Sequence, residues 1–125
     1  MNRTLTFIMI FLGMTVGAAF AAEAPYRHVV LLKFKDGATA TQIEAVERAF
    51  LALKGKIPAI QSVEWGTNVS PEGLGHGFTH CFFVTFKSKA ELEQYLPHPE
   101  HKKFGAMLQG VLDNVLVVDY VAKGG

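Results

Sequence analysis

Tyr26-Arg-His-Val-Val-Leu-Leu-Lys-Phe-Lys35 runs without a turn residue and alternates throughout, setting His28, Val30, Leu32 and Phe34 on one face against Val29, Leu31 and Lys33 on the other. A period of two is that of a β-strand. Both faces are largely apolar, so this strand belongs inside a sheet and needs cover on each side.

Downstream, Asp36-Gly37 turns the chain and Thr39-Ala-Thr-Gln42 has the spacing of a capping box. The helix it opens, Ala40 to Lys54, carries Ile43, Val46, Phe50 and Leu53 on one stripe, with Glu44 four residues before Arg48 on the wet side. Gly55 is expected to cap its end. Residues 62–69 alternate Val63, Trp65, Thr67 and Val69 against Glu64, Gly66 and Asn68, which reads as an edge strand with one wetter face. The glycine-rich stretch Ser70–Gly77 lacks the lysine and spacing of a phosphate loop, and is expected to be a mobile hairpin connection. Phe78 to Phe86 is a third strand, apolar on both faces. Ser88 caps a short helix through Leu96, Pro97 breaks it, and a second segment from Pro99 to about Asp113 shows Phe104, Met107, Leu108 and Val111 at helical spacing. The last strand, Val115 to Val121, keeps Asp119 in phase with Val115 and Val117.

This order, strand, helix, strand, strand, helix pair, strand, leads to an α+β fold with an antiparallel sheet in the order 4-1-3-2 and all helices on one face. Nothing remains to cover the other face. Val29, Leu31, Cys81, Phe83, Leu116, Val118 and Tyr120 would form an apolar patch larger than soluble monomers expose, so a homodimer packed sheet to sheet is expected.

Upstream of the first strand, Arg3, an apolar run from Leu5 to Phe20 and small residues at Ala19 and Ala21 have the form of a secretory signal. The run is shorter than the ~20 apolar residues of a membrane span. The expected division is a signal peptide over residues 1–21 and one domain over 22–125, exported to the periplasm or outside, with no stable membrane association after cleavage. The chain has 12 basic and 11 acidic residues, and loss of Arg3 balances the two signs, which argues against nucleic acid or anionic membrane as a partner. Cys81 is the single cysteine, so no intramolecular disulfide can form.

The stretch densest in groups that move protons near neutral pH is Tyr95-Leu-Pro-His-Pro-Glu-His-Lys-Lys-Phe104. In the topology above, the start of the first strand and the end of the last share an edge, and the chain break at Pro97–His101 comes while the chain is near it. Parity puts His28 and Asp119 on the helix-covered face. Tyr95, His101, His28 and Asp119 are therefore expected around one cavity, with His80 at the far end. Val30, Val46, Phe50, Phe82 and Phe104 are expected to line it with His28. A structural role for each polar residue taken singly is at least as common as a functional one. His98 and His101 are three residues apart, but no further ligand completes a metal set, so neither metal nor cofactor is expected.

His28–Gly37, Trp65–Ser70, Gly77–His80, Tyr95–His101 and Val115–Tyr120 together resemble the stress-responsive A/B barrel (Dabb) family over nearly all of the chain after the leader. The resemblance implies a dimeric α+β barrel of ferredoxin-like βαββαβ protomers. The family includes stress-associated proteins and plant polyketide cyclases that catalyse an aldol condensation without a cofactor. The resemblance to the cyclases implies His101 as base, assisted by Tyr95 and Asp119, with His28 lining the pocket. Pro97 stands where the cyclase pattern has an aliphatic residue. The resemblance implies the residues for proton transfer but no particular substrate; binding of a small, mostly apolar molecule is the expected role, with cyclase-like chemistry as the alternative.

Overall fold

The computed structural model describes residues 24–124, so the leader expected over residues 1–21 lies outside the described part. The elements are β1 (Tyr26–Phe34), α1 (Ala40–Lys56), β2 (Ile60–Thr67), β3 (His80–Phe86), α2 (Lys89–Tyr95), α3 (Pro99–Leu108) and β4 (Leu112–Val121). They build one four-stranded sheet in the order β2-β3-β1-β4, with β1 antiparallel to both β3 and β4. This is the ferredoxin-like topology that the sequence implies, with the central strand pair carrying the most apolar sequence.

The helix-covered face holds the core. Leu32, Phe82, Val84 and Phe86 are wholly buried under Val46, Phe50 and Leu53 of α1 and Leu92 and Tyr95 of α2. Phe50 stacks on Phe82 with ring centroids 4.0 Å apart and meets Phe104 edge-on at 5.0 Å, which ties α1 to the sheet and to α3. Thr39 and Gln42 form the expected capping box, with Thr39 Oγ1 accepting from the Gln42 N–H at 3.2 Å and Gln42 Oε1 from the Thr39 N–H at 2.9 Å.

Several element ends differ from the sequence reading. Helix α1 continues through Gly55 to Lys56, and the chain leaves it at an extended Ile57 whose N–H bonds the Leu53 carbonyl at 2.8 Å, so Gly55 is not the cap. Buried Ile57 pins that exit better than glycine would. Helix α3 stops at Leu108, short of Asp113, because Gly110 adopts a left-handed φ of 81° that reverses the chain into an earlier β4. Strand β2 ends at Thr67, leaving Val69 in the β2–β3 loop. Gly75 of that loop sits where a Cβ would press on the Asn68 side-chain amide.

The second sheet face is bare. Val29, Leu31, Cys81 and Phe83 are half-buried, and Leu116, Val118 and Tyr120 are exposed. Burial, with a smaller contribution from Glu64, raises the Cys81 thiol above its ordinary value and keeps it protonated. Among the described residues no helix is long and apolar enough to cross a membrane.

Candidate functional site

The break between α2 and α3 builds one wall of the site. Tyr95 ends α2 and is buried to 1% exposure, and the His98 N–H returns to its carbonyl at 3.1 Å. His98 then serves as the N-cap of α3, its Nδ1 accepting from the Glu100 N–H at 3.1 Å, while Pro99 occupies the first turn, where its missing N–H costs nothing. One turn later His101 comes back over Tyr95, with ring centroids 4.3 Å apart. His101 Nδ1 lies 2.9 Å from the Leu96 carbonyl oxygen. A carbonyl only accepts, so Nδ1 carries the hydrogen and Nε2 keeps its lone pair.

The sheet supplies the other wall. His28 of β1 and Asp119 of β4 are direct cross-strand partners and therefore share a face. His28 Nδ1 and Asp119 Oδ1 are 2.6 Å apart, with His28 buried and Asp119 reaching solvent. The carboxylate accepts, so this imidazole also carries its hydrogen on Nδ1 and has Nε2 left over. His28 meets Tyr95 edge-on at 5.8 Å and Phe86 at 6.1 Å. The resemblance implied Asp119 as an assistant of His101; its hydrogen bond here goes to His28, because the β1–β4 register sets those two residues side by side.

These four residues border one cavity of about 280 Å³ between the sheet and α3, open to solvent on one side. Its remaining wall is hydrocarbon: Val30, Leu32, Phe50, Leu96, Phe104, Leu108, Val115 and Val117, with Gly105 leaving space over α3. Among the described residues Asp119 is the only carboxylate on the lining, and no lysine or arginine joins it. Burial pushes the Tyr95 phenol well above its ordinary value, so at neutral pH it is a hydrogen-bond donor and not a base.

Of the expected lining, His28, Val30, Phe50 and Phe104 border the cavity. Val46 and Phe82 do not; both belong to the buried core cluster without reaching the lining. Leu32, Leu96, Gly105, Leu108, Val115 and Val117 were missed as lining residues. The strand phase shared by Val115, Val117 and Asp119 was the signal for the last two. A larger hollow of about 720 Å³ lies on the bare face, between Leu31, Cys81, Phe83 and Leu116 and the β2–β3 loop. It runs from the uncovered sheet surface under the loop to Trp65 and His80, and Tyr95, His101, His28 and Asp119 are not on it.

His80, at the far end of the covered face, has a carboxylate partner too. Its Nε2 lies 2.8 Å from Glu47 Oε1 and its Nδ1 2.8 Å from Thr79 Oγ1, with Trp65 parallel at 5.9 Å and Phe34 edge-on at 5.0 Å. Among the described residues no group of three or more His, Cys, Asp or Glu side chains is placed to hold a metal ion.

The model of the stress-responsive A/B barrel domain matches residues 26–122. The stress-response A/B barrel domain-containing protein HS1 of Arabidopsis thaliana is 40% identical over 99 residues, covering 79% of this chain and 91% of that protein. Olivetolic acid cyclase of Cannabis sativa is 34% identical over 97 residues, covering 78% of this chain and 96% of the cyclase. Among solved structures, a dimeric ferredoxin-like protein of unknown function from Bacteroides fragilis is similar with a TM-score of 0.64 and 26% identity, over 78% of this chain and 96% of that one. A sheet with one bare face, helices on the other and matched sequence from Tyr26 to Ala122 leave one assignment: the chain belongs to the stress-responsive A/B barrel domain family.

Proposed function

We propose that the covered cavity binds a small, uncharged, mostly apolar carbonyl compound and moves a proton on it without a cofactor. The observation that carries this reading is the convergence of Tyr95, His101 and the His28–Asp119 pair on one apolar cavity. A hydrocarbon wall favours an apolar body by about 25 cal/mol per Å² buried. The single carboxylate on the lining, with no countercharge for an anion, selects against acidic ligands. A phenol held protonated can donate to a carbonyl oxygen as it gains charge, while an imidazole Nε2 accepts a proton from the adjacent carbon. Similarity to olivetolic acid cyclase supports cyclase-like chemistry at this site, and similarity to HS1 supports a stress-associated setting.

A second reading, binding without turnover, is favoured by one observation. His101 leans on a neutral backbone carbonyl rather than on Asp119, and so lacks the charged partner expected of a base acting alone. Native mass spectrometry of the purified protein, followed by extraction, separates the two: a co-purifying ligand returned unchanged after prolonged incubation favours binding, and its conversion favours catalysis. Protein that retains nothing, and shifts no cavity resonance with any neutral ketone or phenol, would count against both.

We read the active form as an exported homodimer joined through the bare sheet face, a reading supported by that face's apolar surface and by dimeric structural relatives. Phe83→Asp or Leu31→Asp should convert the dimer to monomer or aggregate, and sedimentation of a soluble wild-type monomer at micromolar concentration would refute it. Intact mass of the exported protein should place the mature N-terminus at Ala22.

A further inference from the structure

Strand β2 is an edge of the sheet, and Gly66 leaves one position along it without a side chain. The register sets Gly66 opposite Cys81, on the bare face, and Trp65 opposite Phe82, on the covered one. Nothing lies within 4 Å of a Cβ built on Gly66, so the edge is open there and the hollow of about 720 Å³ reaches from Leu31 and Cys81 round to Trp65 and His80. Small-molecule sites have volumes of roughly 300–1,000 Å³. The outer wall is the β2–β3 loop, which is braced from within. The Asn68 N–H donates to the Thr79 carbonyl at 2.8 Å and the Phe78 N–H to the Gly75 carbonyl at 2.9 Å, while the Asn68 side-chain oxygen accepts from the Ser70 N–H at 2.9 Å. A hollow walled by a loop with its own hydrogen bonds is largely formed before a ligand arrives.

The fixed charge along this lining is of one sign. Glu64 and Glu72 are on it, no lysine or arginine is, and among the described residues neither carboxylate makes an ion pair. Lys33, which lies against Gly77 at the root of the loop, is taken by Asp113 at 3.3 Å. The charge of Glu64 is felt at Cys81, where it adds to burial in raising the thiol. Beside the carboxylates stands an aromatic surface. Trp65 lies parallel to Phe82 and His80, with ring centroids 5.4 and 5.9 Å away, and is still 37% exposed. Of the aromatic side chains, tryptophan attracts a cation to its ring face best. We propose that this hollow is a second ligand site, separate from the covered cavity, and that it takes a small organic cation, an ammonium group on a flat apolar body. The body lies against Trp65 and Leu74, and the ammonium faces Glu64 and Glu72, whose charge rejects an anion of the same shape. In the homodimer read above, the second copy covers the side of the hollow at Leu31 and Leu116, which leaves the ligand the loop side around Gly66.

Trp65 is the single tryptophan of the chain, so intrinsic fluorescence reports on this hollow alone. The test titrates the dimeric protein at neutral pH with 2-phenylethylamine, which is an ammonium there, and with two compounds of the same ring and similar length, neutral 2-phenylethanol and anionic 3-phenylpropanoate. The amine should change the Trp65 emission saturably, bind about 10-fold more tightly than the alcohol, and weaken as salt is raised; the anion should not bind. Changing Glu64→Gln and Glu72→Gln together should bring the amine down to the affinity of the alcohol. Gly66→Val, which puts a side chain into the opening at the β2 edge, should abolish binding in a protein that stays dimeric. Amide shifts should centre on Glu64, Gly66 and His76. Equal binding of amine and alcohol, amine binding that survives the double glutamine change, or shifts centred on His28 and Asp119 would each overturn the proposal. So would an amine that binds the Phe83→Asp monomer and not the dimer, since the second copy would then fill the hollow. The covered-cavity reading stands or falls separately, because its ketone is neutral and its residues lie outside this hollow.

Discussion

The covered face of this sheet holds two histidine–carboxylate pairs of nearly equal geometry, and only one of them borders the covered cavity. His80 and Glu47 meet at 2.8 Å, as His28 and Asp119 do at 2.6 Å. Both histidines are buried. Around His80, however, both ring nitrogens are engaged: Thr79 holds one and Glu47 ties the other to α1, with Trp65 and Phe34 against the ring. Around His28 the second nitrogen is left over, and Tyr95, His101 and open volume lie beside it. A charged hydrogen bond by itself therefore says little about function. With both ring nitrogens engaged it is a strut between helix and sheet, and with one left over beside a cavity it has a nitrogen to offer a ligand.

This contrast can be broken by substitution. His80→Ala removes two hydrogen bonds and the ring contacts with Trp65 and Phe34, and should cost about 3 kcal/mol of unfolding free energy in chemical denaturation while the folded protein still binds ketone. Loss of ketone binding in folded His80→Ala would mean the two ends are not independent. His28→Asn should cost less than about 1.5 kcal/mol, since the asparagine amide nitrogen stands near the place of Nδ1 and can still donate to Asp119, yet the loss of an imidazole from the cavity should weaken proton transfer there. Gly105→Ala sharpens the contrast from the cavity side. Nothing lies within 4 Å of a Cβ built there, so the change should raise stability by about 0.5–1 kcal/mol through helix propensity and narrow the cavity. The smallest effect is alkaline. Burial raises the Tyr95 phenol in the folded state, so its contribution is fully present below the unfolded value near pH ~10 and is lost as pH rises above it. Tyr95→Phe should flatten that part of the stability–pH curve.

The sequence made the frame of this molecule legible because alternation and stripes report faces. The two-sided apolar pattern of residues 26–35 placed β1 in the middle of the sheet, and the phase of Asp119 with Val115 and Val117 put it on the covered face. Depth and register are less visible. Val46 and Phe82 share the right face with the cavity residues but do not reach the lining, which no periodicity can report. The pairing of Asp119 with His28 depends on where β4 begins, on the Gly110 reversal before it and on the irregular register at Lys33 and Phe34. Those are tertiary facts. The role of Gly105 was hidden for a similar reason, since a glycine in a helix looks like a defect until the volume above it is seen.

The central claim is that the volume beside His28, Tyr95 and His101 receives a small apolar ketone, and occlusion of that volume tests it most directly. Amide spectra of the wild type and of Gly105→Leu would be recorded during titration with 4-phenyl-2-butanone. The account expects saturable shifts at His28, Tyr95, His101, Gly105 and Val117 in the wild type, none at His80 or Glu47, and loss of binding in a Gly105→Leu protein that remains folded and dimeric. Equal binding by Gly105→Leu, or shifts centred on His80 or on the bare sheet face, would contradict it.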